Sequence, residues 1–552
     1  MAAAESSQGN TQVTDFDAIV IGAGFSGMYM LHRLRDVVGL SVQVYERGTG
    51  VGGTWYWNRY PGARCDSESY IYCYTFDRQL LQEWEWSERY PEQPEILRYL
   101  NHVADRFDLR RNIQFSTSVT SANFDEQTNT WRVTTDRGEK VSARFLIAAV
   151  GTLSATNIPK FKGLETFKGK WYHTSQWPHG GVDFIAKRVA VVGTGATAVQ
   201  AIPEIAQQAK QLTVFQRTPA YCVPARNGKV DPDVVKARKA DYDGIRQRIR
   251  QSQFGHELYF IEKSVLDASP EERERIFEEL WDQGGFGYWL ANYQDMLFDE
   301  KANELCAEFL KRKIRSIVRD PALAEKLIPK SYPYGTKRQP LDTNYFETFN
   351  KDNVLLVDAK DAPIEEITPK GIRAGGKEYE FDSIVFATGF DAMTGPLKSL
   401  NIRGRNGEAL ATKWADGPHT YLGLAVAGFP NLFTITGPGS PSVMSNMPVS
   451  IEQHVEWVSD CIEYMRRNHL AVIEAKPDAE DEWTRHVSEV AEGTLMTRAN
   501  SWYVGANIPG KPRVFMPYLG GVGVYREKCD EVVAQGYKGF NLIGAKESAA
   551  GH

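Results

Sequence analysis

Short apolar runs bounded by glycine recur along the chain, and most are followed by a stretch with helical spacing. Asp17-Ala18-Ile19-Val20-Ile21 is the first, the right length for a buried parallel strand. It runs into Gly22-Ala23-Gly24-Phe25-Ser26-Gly27, then a helical stretch from Met28 to Val37 and a second strand from Ser41 to Tyr45. Arg144–Gly151, Arg188–Val192, Leu212–Phe215 and Asp382–Phe390 read as further strands, with shorter ones near Gln114–Val119 and Thr130–Thr135. Helical patterning covers Pro94–Phe107, Val199–Ala209 and Asp299–Val318. Ser269-Pro270-Glu271-Glu272 is a capping box that opens another helix, with Ile276, Phe277 and Leu280 on its apolar side. Strands alternating with helices in this way predict an α/β fold built on parallel sheets.

The two glycine clusters add chemistry to that pattern. Gly22 makes a tight turn, Gly24 lets backbone N–H groups approach a pyrophosphate, and Gly27 lets helix and strand pack closely. The helix N-terminus adds partial positive charge, and Glu46, twenty-four residues after Gly22, can accept hydrogen bonds from an adenosine ribose. The second cluster, Gly193-Thr194-Gly195-Ala196-Thr197-Ala198, follows Arg188–Val192 and has alanine at its third position, which the motif allows. The same count from Gly193 lands on Arg217, followed by Thr218. A carboxylate repels a 2′-phosphate, whereas a guanidinium binds it bidentately. The first finger is therefore assigned to FAD and the second to NADPH.

Composition narrows the class. At 552 residues the chain holds two or three domains, and a net charge of −6 argues against nucleic acid as a partner. Six scattered cysteines without a CxxC pair fit reduced thiols in a cytoplasmic protein, and no metal site is expected. Residues 1–14 read as a loose polar arm, residues 545–552 carry no peroxisomal or reticular address, and no stretch approaches a membrane span.

The loop from Gly52 to Asp66, with Gly53, Thr54, Trp55, Tyr56, Trp57, Tyr60, Pro61 and Gly62, suits a surface lying against a flat aromatic ligand. It matches GGxWxxxxYPGxxxD. Between the fingers Phe167, Gly169, His173, Trp177 and Pro178 match FxGxxxHxxxWP. Together these motifs resemble the fingerprints of the type I Baeyer–Villiger monooxygenases, across all of the chain beyond the arm. Gly437–Ser442 and Ser501–Tyr525 look most like the phenylacetone and steroid monooxygenase branch. The resemblance implies two Rossmann-like domains, non-covalent FAD, NADPH, O2, and a ketone converted to an ester or lactone through a C4a-peroxyflavin and a Criegee adduct. A sulfoxidase side activity is also expected.

By the same resemblance Arg338 is the cation over the flavin that steadies developing negative charge, and Asp66 positions it. Lys337 helps hold the 2′-phosphate, Trp502 belongs to a mobile segment over NADPH, and His173 acts at a domain linker outside proton transfer. Ser26, Tyr72, Val119 and Met447 join the FAD set, Gln200 joins the NADPH set, and Pro441, Ser442, Val443 and Met444 shape the ketone pocket. The expected organisation is a first FAD part at 15–152, NADPH parts at 153–226 and 331–380, a structural helical insertion at 227–330 and a second FAD part at 381–552. Asp382–Phe390 is expected to return the chain to the first sheet. The protein is expected to be a monomer or weak homo-oligomer. Flavin-containing N- or S-oxygenating monooxygenases share both fingers and are the alternative; a disulfide reductase lacks its cysteine pair here, and a non-enzymatic NADPH sensor would not need Arg338 and Asp66 together.

Overall fold

The computed structural model describes residues 14–544. Two parallel sheets, each carrying one glycine finger, form its frame. In the first, Phe16–Ile21 lies between Val42–Tyr45 and Lys140–Ala148, with Ile113–Gln114 beyond Val42–Tyr45. Thr130–Thr135 and Val119–Asp125 extend it as an antiparallel flap, and Leu432–Thr434 pairs in parallel with Lys140–Ala148. The second sheet runs Val354–Asp358, Gln211–Gln216, Arg188–Val192, Ser383–Phe386, Lys170–His173, all parallel. Strands covered by helices on both faces must be apolar throughout, and Ala18, Ile19, Val20, Val189, Ala190 and Val191 are fully buried. The fold is α/β, as the alternation of strands and helices predicts.

The helix after the first finger spans Phe25–His32 and widens into a π-turn at Arg33–Val37. Ser269 caps Pro270–Gln283 by accepting from the Glu272 N–H at 3.2 Å, and Asp299 caps Glu300–Ile317. Pro232–Ala240, Tyr242–Gln251 and Pro321–Leu327 complete the helical region between the two halves of the second sheet. Among the described residues no helix is long and apolar enough to cross a membrane, and all six cysteines are buried and unpaired.

Two expectations are corrected. The single strand expected over Gln114–Val119 is broken after Gln114. Ser116 takes a positive φ of 51°, and the Thr117 N–H turns back to the Glu46 carbonyl. More consequential, Ser383–Phe386 belongs to the second sheet, between Arg188–Val192 and Lys170–His173. Asp382 fixes that register by accepting the Arg188 N–H at 2.8 Å and pairing with its guanidinium. Leu432–Thr434 makes the return to the first sheet, so a boundary at 380/381 cuts off a strand of the second. The misreading has a physical cause. Each sheet runs a strand ending in small residues beneath its own finger: a Cβ on Gly22 would lie 2.6 Å from the Ala149 carbonyl oxygen, and one on Gly193 2.5 Å from that of Ala387.

Two crossings join the sheets, residues 149–157 and 387–393. They are laced by Asn157 N–H to Gly389 O, Asp391 N–H to Ala155 O and Met393 N–H to Thr152 O, at 2.9–3.1 Å.

Candidate active site

At the first finger, backbone meets backbone. A Cβ on Gly27 would lie 1.8 Å from the Gly22 carbonyl oxygen, and one on Gly53 would lie 2.9 Å from the Gly24 Cα. The turn and the tryptophan loop therefore close on each other through glycines, leaving N–H groups uncovered by side chains. Glu46 is buried, and its carboxylate accepts from the Ala23 N–H at 2.8 Å and the Gly48 N–H at 2.6 Å. A carboxylate has about four lone-pair positions, so two remain for hydroxyl donors. Thr54–Trp57 forms one helical turn. Trp55 donates to the Tyr72 hydroxyl at 3.1 Å, Tyr56 bonds Thr49, and Arg47 lies 4.6 Å over the Trp57 ring.

Cations gather at the second finger. Thr194 donates to the Thr218 carbonyl at 2.8 Å, holding the turn against the end of Gln211–Gln216. Arg217 is exposed and has no ion pair among the described residues. Lys337 lies 4.5 Å over the Tyr332 ring; burial, then Arg217 and Lys360, push its pKa down to about 8. Lys360 follows Ala359, whose N–H bonds the Gln216 carbonyl at 2.7 Å, so the strand register places it beside Arg217. Three cations gathered at one turn suit a dianion.

The seam between the fingers carries Arg338. Its guanidinium is 3.5 Å from buried Asp66 and rests 4.7 Å over the Phe286 ring, which fixes the plane of the fork. Burial pushes the Asp66 carboxyl up, and Arg338 opposes that shift. Gln200, on the second finger's helix, accepts from the Tyr60 hydroxyl at 2.8 Å and the Arg64 N–H at 3.4 Å. It donates to the Arg64 carbonyl at 3.1 Å and to Asp66 at 3.2 Å.

A model of the flavin-binding monooxygenase-like family matches residues 17–235. A Baeyer–Villiger monooxygenase of Pseudooceanicola batsensis is 46% identical over 525 residues, 95% of each chain. An oxidized steroid monooxygenase bound to NADP superposes with a TM-score of 0.92 at 51% identity, covering 96% of this chain and 100% of that one. This chain belongs to the Baeyer–Villiger monooxygenase family. A phenazine N-monooxygenase of Lysobacter antibioticus is 43% identical over 531 residues, 96% of this chain and 97% of that one.

The fingerprint residues sit on or beside the second sheet. His173 is buried; its Nδ1 accepts from the Ser175 N–H at 3.2 Å, which leaves Nε2–H to donate to the Thr388 hydroxyl at 3.1 Å. Burial pushes its pKa down to about 4, so it is a neutral strut at the crossing. Phe167 lies against Gly169, and Trp177 packs on Tyr172 and Phe184. Gln200, expected at the second cofactor, engages its side-chain amide with the 60–66 loop through four hydrogen bonds. Ser442 is buried and donates to the Met393 sulfur at 3.8 Å. Val443 and Met444 share an apolar cluster with Phe286, Tyr503 and Phe515, while Met447 opens the helix Met447–Arg467. Trp502 stands at the head of a 3-10 turn, against Tyr503.

Three participants were not named from sequence. Phe286 sits in the region read as purely structural, and nothing local marks it. Tyr503 is fully buried with an unpartnered hydroxyl, and only its position after Trp502 pointed to it. Lys360 had a usable signal: it lies two residues past the outer strand of the second sheet, as Ser116 does in the first.

Proposed function

We propose that the chain is an FAD-dependent, NADPH- and O2-consuming monooxygenase that converts ketones to esters or lactones, with sulfoxidation as a side activity. The pairing of Arg338 with Asp66 where the two glycine fingers meet carries the reading. The first finger fits the flavin nucleotide: its glycines leave a backbone cradle, and Glu46 keeps lone pairs for ribose hydroxyls. The second fits a 2′-phosphate, with Arg217, Thr218, Lys337 and Lys360 around it. Bound there, the two groups supply hydride and the activation of dioxygen.

The protein's own part is positioning and charge. Arg338 presents a planar fork of N–H donors to oxygens that gain negative charge. Asp66 and Phe286 hold that fork in place, and Gln200 keeps the two fingers in register around it. Val443 and Met444 with Phe286 form an apolar wall that excludes water beside the cation. His173 is neutral and doubly bonded, so it takes no proton from the reaction.

The test is product analysis by mass spectrometry and NMR after incubation with NADPH, O2 and a panel of aryl, cyclic and aliphatic ketones. Ester or lactone formed in step with NADPH supports the reading; NADPH consumed with every ketone unchanged refutes it. The similarity to the phenazine N-monooxygenase favours a second reading, N-oxygenation of aromatic ring nitrogens. Phenazines in the same assay decide between them.

A further inference from the structure

Residues 499–521 cross the face of the site with one short 3-10 turn, Trp502–Val504, as their only regular structure. One side of this strap hangs on the loop beside the ketone wall, through Met516 O to the Gly439 N–H at 2.8 Å and the Tyr518 N–H to Ser440 O at 2.9 Å. The other side reaches the second crossing. The Asn507 amide donates to Phe390 O at 2.7 Å, and the Lys511 ammonium donates to Ala392 O at 2.8 Å and pairs with Asp391 at 2.6 Å. Only 10% of the Lys511 side chain is exposed.

A lysine is an expensive way to fill such a place. Its charge must leave water, and it is compensated only while Asp391 and the Ala392 carbonyl hold their positions. Those acceptors belong to the crossing that sets how the two sheets stand. Asp391 and Met393 are tied to the first crossing at Ala155 and Thr152, Met393 has a positive φ of 66°, and Thr388 is held by His173. Lys511 thus reads the crossing from the strap: if either moves, the ammonium loses its partners.

We propose that Lys511 is a positioning residue, a clasp that makes seating of the Trp502–Tyr503 strap and the set of the inter-sheet crossing a single event. The inference rests on the reading that the strap covers the nicotinamide cofactor. It deepens that reading by naming what holds the strap down.

The experiment uses the FAD-loaded full-length protein, with NADP+ as the probe and backbone hydrogen exchange over residues 499–517 as the readout. In the wild type NADP+ is expected to slow exchange there, and exchange unchanged by NADP+ overturns the proposal. Lys511→Met is expected to abolish most of that slowing and to weaken NADP+ about tenfold, since the strap opens locally once a charge-assisted contact is lost. FAD content and melting temperature stay unchanged. Lys511→Arg restores the protection, Asp391→Asn reproduces the loss, and the Lys511→Met/Asp391→Asn double variant is no worse than either single one. Full NADP+-dependent protection in Lys511→Met overturns the clasp. So does a uniform rise in exchange along the chain with a lower melting temperature, which marks an ordinary stabilising contact. If wild-type strap protection is present and lost in Lys511→Met while no ketone is ever oxidised, the clasp stands and the functional reading falls.

Discussion

Removing the proton from Lys337 should loosen NADP+ without affecting NAD+. In the free site burial first, then Arg217 and Lys360, hold this lysine at about 8 instead of its ordinary 10.5. A bound 2′-phosphate supplies the missing counter-charge, and its second ionisation, near 6, is complete across the range of interest. The protonated lysine is the binding form, so the phosphate's contribution is fully present below about 8 and is lost as pH rises through it. If the phosphate returns Lys337 to its ordinary value, the NADP+ dissociation constant rises ~2-fold from pH 7 to pH 8 and ~10-fold by pH 9. Binding then takes up ~0.5 proton at pH 8 and ~0.9 at pH 9. Isothermal titration of the FAD-loaded protein in buffers of different ionisation enthalpy measures both quantities. NAD+, lacking the phosphate, should give a flat profile, as should Lys337→Met with NADP+. An NADP+ profile flat from pH 7 to pH 9 without proton uptake refutes the reasoning, as does an equal slope for NAD+.

Arg338→Ala should keep its flavin and still oxidise NADPH, while ester yield falls ~10²–10³-fold, the usual cost of losing one charge-stabilising donor; stopped-flow reduction beside product assays checks this. Arg338→Lys should recover little, because a point charge cannot span two oxygens as a planar fork does. Arg217→Ala should erase ~1–3 kcal/mol of the preference for NADPH over NADH, read from the ratio of kcat/KM values. The buried histidines should cost the fold stability in acid, opposed in part by the buried carboxyls Asp342, pushed up to about 7, and Asp66 and Glu452, also pushed up by burial. His173, His256 and His454 are buried neutral, with pKa values pushed by burial to about 4, 3 and 3. Unfolding frees each to bind a proton from about 6.5 downward, so urea midpoints should fall steadily from pH 6.5 toward pH 4.

How much of this was legible in the chain follows from how local each signal is. The fingers could be read because a tight turn, a close approach and a helix start each demand glycine or a small residue at a fixed spacing. Strand identity was equally plain, but sheet membership was not. Ser383–Phe386 and Lys140–Ala148 both run from apolar residues into an alanine, Ala387 and Ala149, and only register with Arg188 or with Phe16–Ile21 assigns them. The fold class, the family and the two cofactors rested on patterns that repeat along the sequence. Phe286 beneath Arg338 and the clustering of Lys360 with Lys337 depend on contacts between distant segments, which no window of sequence contains. Gln200 was assigned to the second cofactor from its place on the finger's helix, and the bonds its side-chain amide makes to a loop of the other half are again contacts between distant segments.

That amide also sets a rule for recombination within the family. A hybrid that joins one parent's FAD half to another's NADPH half keeps both nucleotide cradles intact. It must nevertheless inherit Gln200 and the 60–66 loop as one heritable block. Any breakpoint that separates them leaves four hydrogen bonds to be matched by residues from two parents.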